Sequence, residues 1–180
     1  PDTSTWLSAE FAVFQLILAY RRKGHLVAKT NPIRERKDRH ANLGLQNFGL
    51  SEADLPTLFE AGKFAGLGKT SLQHIVSHLQ KCYTTHVGVE ISSLNDQEKI
   101  DWLTNAVENT LLQPVSLQQK KRILQKLNEG VMFEKFLQTK YVGQKRFSLE
   151  GGETTIAALD AIINTSAANN VEEVVIGMAH

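Results

Sequence analysis

One cysteine, Cys82, in a chain of 180 residues excludes an internal disulfide, and with it the stapled scaffold of small secreted domains. A reducing compartment is expected: the cytoplasm for a bacterial protein, the mitochondrial matrix for a eukaryotic one. With no second thiol and six scattered histidines, no metal site is expected. No apolar run reaches the roughly 20 residues that a membrane-crossing helix needs. The longest, Phe11 to Tyr20, is interrupted by Gln15, and no membrane partner is expected. Neither sign of charge dominates, because 20 basic residues face 19 acidic ones. No extended basic footprint for nucleic acid follows from that balance. The densest basic stretch, Arg34, Arg36, Lys37, Arg39 and His40, is broken by Glu35 and Asp38 and lacks aromatics. It reads as a solvated loop. Internal repeats and low-complexity segments are also absent.

What is present is an ordinary globular composition, 42% hydrophobic and 22% charged. Helical spacing runs through most of it. Thr5 to Lys23 reads as a helix with Trp6, Phe11, Phe14, Leu18 and Ala19 as its apolar face, stopped by Gly24. Leu26 to Ile33 reads as extended and Arg34 to Gly49 as a loop. Ser51-Glu-Ala-Asp54 has the form of a cap for a short helix. Gly62 to Gly68 reads as a turn. Ser71 to Tyr83 places Leu72, Ile75, Val76 and Leu79 on one face. Asn95 or Asp96 caps a helix that reaches about Asn109, and Pro114 breaks the pattern. Ser116 caps the next helix, with Leu117, Ile123, Leu124 and Leu127 apolar. Val131 to Tyr141 forms a further amphipathic segment around Phe133, Phe136 and Leu137.

The character changes after Tyr141. A polar, glycine-bearing stretch leads to a helix from Thr154 to Ala168, ended by Asn169-Asn170. Val174 to Met178 is then a β-branched run suited to a buried parallel strand. Helix, turn and strand make half of an α/β unit. The fold class expected is mainly α, with a helical domain over 1–139 and the start of an α/β domain over 140–180. The chain opens on Pro1-Asp2 and closes on Met178-Ala-His180, and both ends read as cuts in a longer sequence.

Four features could carry chemistry. Gly68-Lys69-Thr70 suggests a phosphate loop, but that motif needs a glycine where Lys63 stands, so a turn into a helix cap is the better reading. His74 and His78 share a helical face without a third ligand nearby, which favours surface or partly buried histidines. The stretch from Lys140 to Glu153 is long, mixed in charge and rich in glycine, and suits a binding wall or a linker equally well. His180 follows directly on the strand-like run, where open α/β sheets place their ligands; position alone leaves a role and no role evenly balanced.

The last two features carry a resemblance. Lys140-Tyr-Val-Gly-Gln-Lys-Arg-Phe-Ser-Leu-Glu-Gly-Gly-Glu153, Ala158-Leu-Asp160 and Val171-Glu-Glu-Val-Val-Ile-Gly-Met-Ala-His180 resemble the first component of 2-oxoglutarate dehydrogenase. Ala19-Tyr-Arg-Arg-Lys-Gly-His-Leu26, Asn31-Pro32, Gly49-Leu-Ser-Glu-Ala-Asp-Leu55, Val87-Gly-Val-Glu90 and Asp101-Trp-Leu103 fit the same family in order. The chain departs from it at Ile91-Ser-Ser93 and at Ala157.

The resemblance implies the amino-terminal part of an enzyme that decarboxylates 2-oxoglutarate and passes the succinyl group to lipoamide. The full-length enzyme would use thiamine diphosphate and magnesium. Its partners would be a dihydrolipoyl succinyltransferase core with its lipoyl domain and a second copy of the same chain. The related 2-oxoadipate dehydrogenase, or a non-catalytic helical interaction module, is the alternative. Within the chain, the resemblance makes His180 a catalytic and substrate-binding residue and Phe147 a neighbour in the substrate pocket. It places no cofactor-binding residue and no metal ligand here, so the chain alone is expected to be inactive.

Overall fold

The computed structural model describes residues 3–37, 39–110 and 112–178. The chain folds as two compact units, Pro1–Pro114 and Val115–His180. The division falls at Pro114, where the helical pattern breaks, and ahead of the compositional change that follows Tyr141. The described residues are mainly helical, as the sequence leads one to expect, and their only regular strands are two-residue pieces.

In the first unit, helix α1 (Thr3–Lys23) packs against α2 (Leu72–Tyr83). Strands β1 (Leu58–Phe59) and β2 (Thr70–Ser71) pair antiparallel, Leu58 opposite Ser71 and Phe59 opposite Thr70. Helix α3 (Gln97–Thr110) completes the unit. The core is Val13, Leu16 and Ile17 of α1 with Leu72, Ile75 and Leu79 of α2, all wholly buried, and Phe59 beside them. Each such side chain contributes about 1.5–3 kcal/mol by leaving water.

On α2 the apolar face is the one the spacing marks. On α1 it is not. Trp6 and Phe11 stay largely exposed, while Val13, Leu16, Ile17 and Tyr20 turn inward. The helix is apolar nearly all round over Phe11–Tyr20, so periodicity alone does not choose its buried face.

Local signals fix the ends of these elements. The Ser71 hydroxyl accepts from the His74 amide at 3.3 Å and caps α2. Asp96 accepts from the Lys99 amide at 3.1 Å at the start of α3. Asp54 accepts from both the amide and the hydroxyl of Ser51 at 2.8 Å, closing the short 3-10 turn Glu52–Asp54. The 3-10 turn Glu60–Ala65 takes its cap from elsewhere: Glu10 of α1 accepts from the Glu60 and Ala61 amides at 2.8 Å each. Gly66 then ends the turn in the left-handed region at φ 71°.

Two long-range contacts lock the helices. Gly24, at the end of α1, lies so close to α2 that a Cβ there would sit 2.5 Å from the Cβ and 3.0 Å from the carbonyl oxygen of Tyr83. Beside it Arg21 donates to both carboxylate oxygens of Glu108 on α3, through Nε at 2.8 Å and Nη2 at 2.9 Å.

The second unit contains α4 (Leu117–Lys140) and α5 (Thr154–Ala168). The sequence suggests two segments over 117–141, yet α4 runs unbroken through Gly130. The absent side chain is used there: a Cβ on Gly130 would meet Ile156 Cδ1 of α5 at 2.5 Å. Ser116 and Gln119 cap α4 reciprocally. Arg122 holds Asp160 of α5 through Nε at 2.9 Å and Nη2 at 2.6 Å. Asn170, at φ 61°, follows the end of α5.

Residues 171–178 are not a strand. They carry no regular structure, and Val175 is 92% exposed. A strand is held by pairing along its edges, and no other described element of this unit offers an edge to pair with. Among the described residues of 115–178 none is buried.

Gly24→Ala is expected to destabilise the chain by about 1–3 kcal/mol, the usual cost of overpacking a rigid backbone contact, read as a lower urea midpoint at unchanged slope. Glu108→Gln is expected to cost about 2–3 kcal/mol, because Arg21 keeps its charge and loses its counter-ion. A urea midpoint unchanged in both variants would contradict this account of the helix locks.

Candidate functional site

Of the two residues singled out for the site, His180 lies outside the described residues. Phe147 is described, in the loop between α4 and α5, and the residue is 70% exposed. Lys145 Nζ stands 5.4 Å from the ring centroid, a cation held over an aromatic face.

The loop is built rather than slack. Tyr141 accepts from the Gln144 amide at 3.4 Å, with Gly143 inside the turn at φ 86°. At the far end Leu149 accepts from the Gly152 amide at 2.6 Å, with Gly151 at φ 87°. Both φ values lie where a side chain is strained, so glycine is required at these turns. Glu134 of α4 ties the middle: its carboxylate accepts from the Ser148 hydroxyl and the Leu149 amide, both at 2.8 Å. Arg146 Nη1 lies 3.8 Å from the same carboxylate. These partners, the Leu149 amide first and the Ser148 hydroxyl second, favour the charged form and hold the Glu134 pKa below the usual glutamate value.

A half-open cavity of about 580 Å³ lies under the first turn, walled by Leu137, Gln138, Tyr141, Gly143, Lys145 and Arg146 among others. Phe147 is not part of its wall. The cavity presents two cations and an aromatic hydroxyl, groups that can hold an anionic or hydrogen-bonding ligand.

Elsewhere the sequence gives no sign of a buried polar cluster that the fold assembles. The Tyr83 hydroxyl donates to Glu108 Oε1 at 2.7 Å, and Arg21 Nη2 also donates to the Phe64 carbonyl at 2.6 Å. Burial, then the charge and hydrogen bond of Glu108, push the Tyr83 phenol well above the tyrosine range. Burial first, and Glu108 second, push the Cys82 thiol up to about 11. Its Sγ lies 3.8 Å from the Glu108 carbonyl oxygen and 3.9 Å from His78 Nε2. A thiol so placed is protonated at neutral pH and inert.

His78 is buried as well, and burial is the largest cause of its lowered pKa, so it is neutral at pH 7. His74 stands near the surface with Nδ1 3.0 Å from the Thr70 hydroxyl. The Glu108 cluster joins helices α1, α2 and α3. Gly68-Lys69-Thr70 is the turn into the α2 cap, with Lys69 paired to Glu60 at 3.0 Å.

No family model matches the chain. Individual relatives do. The 2-oxoglutarate dehydrogenase E1/E2 component of Corynebacterium glutamicum is 42% identical over 98% of the chain and 15% of its own length. The multifunctional 2-oxoglutarate metabolism enzyme of Mycolicibacterium vanbaalenii is 44% identical over 93% of the chain and 14% of its own length. The 2-oxoglutarate dehydrogenase E1 component of Cupriavidus necator is 41% identical over 94% of the chain and 18% of its own length.

The chain is homologous to a segment of the 2-oxoglutarate dehydrogenase E1 component. Homology to E1 runs through both compact units, since the matched share exceeds nine-tenths of the chain, while the chain spans less than a fifth of each of these relatives. Several of the stretches that resemble E1 turn out to be structural. In Ala19–Leu26, Tyr20 is buried, Arg21 anchors Glu108 and Gly24 meets Tyr83.

The depressed Glu134 value makes the loop tie pH-dependent in a defined sense. A carboxylate with a lowered folded pKa contributes fully above its ordinary value of 4.5 and loses that contribution as pH falls through the lower folded value. Carbon NMR of the Glu134 carboxyl is expected to show a midpoint below 4.5, with the Leu149 amide shift titrating alongside it. In Glu134→Gln that titration of Leu149 is expected to vanish. A midpoint at the ordinary value would mean that the tie does not form in solution.

Proposed function

We propose that the chain belongs to an enzyme that decarboxylates 2-oxoglutarate on thiamine diphosphate and transfers the succinyl group to lipoamide. One observation carries the reading. Relatives whose names specify 2-oxoglutarate dehydrogenase or 2-oxoglutarate metabolism match the chain at 41–44% identity over 93–98% of its length. Exposed apolar side chains in the second unit, among them Leu124, Phe133 and Met178, are what a segment of a larger protein presents to the rest of its fold. Under this reading the partners are a dihydrolipoyl succinyltransferase core with its lipoyl domain and a second copy of the enzyme.

Thiamine diphosphate supplies the electron sink for such a decarboxylation, and magnesium binds its diphosphate. Among the described residues no group of three or more His, Cys, Asp or Glu side chains converges. The ligands of both groups would come from other parts of the enzyme.

The role proposed for this chain is recognition of substrate. The His180 imidazole donates a hydrogen bond to the carboxylate that 2-oxoglutarate carries at its far end, and Phe147 walls the same pocket. Losing one hydrogen bond to a charged group costs about 1.5–3 kcal/mol, or about ten- to hundredfold in kcat/KM.

In an enzyme of the relatives' length, His180→Ala is therefore expected to lower kcat/KM for 2-oxoglutarate by that factor and to leave 2-oxovalerate, which lacks the carboxylate, much less affected. Equal losses for both substrates would remove His180 from substrate recognition. No 2-oxoglutarate decarboxylation by the parent enzyme with cofactor and magnesium present would sink the activity itself. The 180-residue chain alone is expected to give no saturable heat on calorimetric titration with thiamine diphosphate and magnesium at micromolar cofactor concentration. Micromolar binding would place cofactor ligands within it.

A further inference from the structure

The basic stretch after α1 reads from sequence as a solvated loop, but the fold shapes it into a concave strap. Residues between Val27 and Arg39 line a half-open cavity of about 610 Å³, within the size range of small-molecule sites. Its stem is pinned to the end of α2, where the Lys29 amide donates to the Thr85 carbonyl at 2.6 Å. The turn is folded by Asn31, whose Oδ1 accepts from the Ile33 and Arg34 amides at 2.9 and 3.1 Å.

Arg36 closes the strap. Its guanidinium donates to the His25 carbonyl at 2.8 Å, the Leu26 carbonyl at 3.0 Å and the Thr30 hydroxyl at 3.1 Å. All three acceptors are neutral, so they fix the geometry without themselves neutralising the charge. Among the described residues these acceptors take three of the five guanidinium N–H groups, and the other two can serve an oxygen ligand. Lys29, Arg34, Lys37 and Arg39 line the same cavity, and Glu35 is the only acidic residue among its described lining positions; Asp38, in the same stretch, lies outside the described residues. Among the described residues no carboxylate forms an ion pair with any of the five cations. Like charges gathered on a concave wall focus the field into the cavity.

From this we infer that the strap is a binding site for a small polyanion, a molecule with adjacent phosphate or carboxylate groups. A nucleic acid is a poorer fit. The stretch has no aromatic side chain on which bases could stack, and the whole chain carries a formal charge of only +1. The inference rests on this cavity and not on the activity of the relatives.

The test is an NMR titration of the chain with inorganic tripolyphosphate, citrate, orthophosphate and a single-stranded oligonucleotide. Amide shifts are expected to be confined to residues 27–39 and the Thr85–His86 stem. Tripolyphosphate and citrate should bind at least fivefold more tightly than orthophosphate, and more weakly as salt rises. A preference for tripolyphosphate over citrate would identify phosphate as the natural group, and the reverse would identify carboxylate; either supports the site.

The double variant Arg34→Gln, Lys37→Gln leaves the Arg36 contacts in place and is expected to weaken binding at least fivefold. Arg36→Gln is expected to abolish it, with an unchanged amide spectrum for α1 and α2 showing that the fold survives. Shifts spread over all basic residues, affinity unchanged in the double variant, or a response to the oligonucleotide alone would each overturn the inference.

Discussion

The Glu108 carboxylate holds the first unit together. It reaches the interior from α3 with a side chain only 6% exposed and accepts from Arg21 of α1 and Tyr83 of α2. Three helices, distant from one another in sequence, are therefore joined at one group. A charge in that position is costly unless it is paired and hydrogen-bonded, and here it is both. Burial first, and this charge second, hold a proton on both the Tyr83 phenol and the Cys82 thiol. Electrostatically this interior stabilises protonated and cationic neighbours, which suits a scaffold better than a reaction centre.

The two units differ in how they are held. The first has a buried apolar core. In the second, α4 and α5 are joined by a glycine notch and by a carboxylate that takes both arms of one arginine, while their larger apolar side chains face outward. Exposed ion pairs contribute little by themselves, so most of the order in this unit comes from helix propensity and a narrow seam. Homology to E1 covers both kinds of structure alike, which makes the contrast a property of the segment rather than of a single insertion.

Much of this was legible in the sequence where the causes are local. Ser71, Asp96 and Ser116 cap helices as their side chains predict, and α5 spans the stretch its spacing marks. What was not legible depends on residues far apart. Arg21 and Glu108 are separated by 87 positions, and nothing in either neighbourhood points to the other. The buried face of α1 could not be chosen because the helix is apolar on every side.

The run Val174–Met178 has strand composition but, among the described residues, no neighbour to pair with, and composition cannot supply one. Gly130 falls between the two helical segments that the sequence suggests, and glycine disfavours helices. It is instead the place where Ile156 fits. For the candidate site, the resemblance singled out Phe147, and the fold leaves its ring outward beside a lysine. The basic strap was visible as composition, whereas its concavity depends on Arg36 reaching back to His25 and Leu26.

The Glu134 tie has a consequence for how the loop is assembled. A flexible connection resists closure through the entropy lost when its ends are brought together, and that loss grows with the logarithm of its length. By clamping Ser148 and Leu149 onto α4, the carboxylate turns one long connection into two short ones, each finished by its own glycine turn. Once the first segment is closed, α5 begins only a few residues from a fixed point, so most of the search that would otherwise precede its docking is removed.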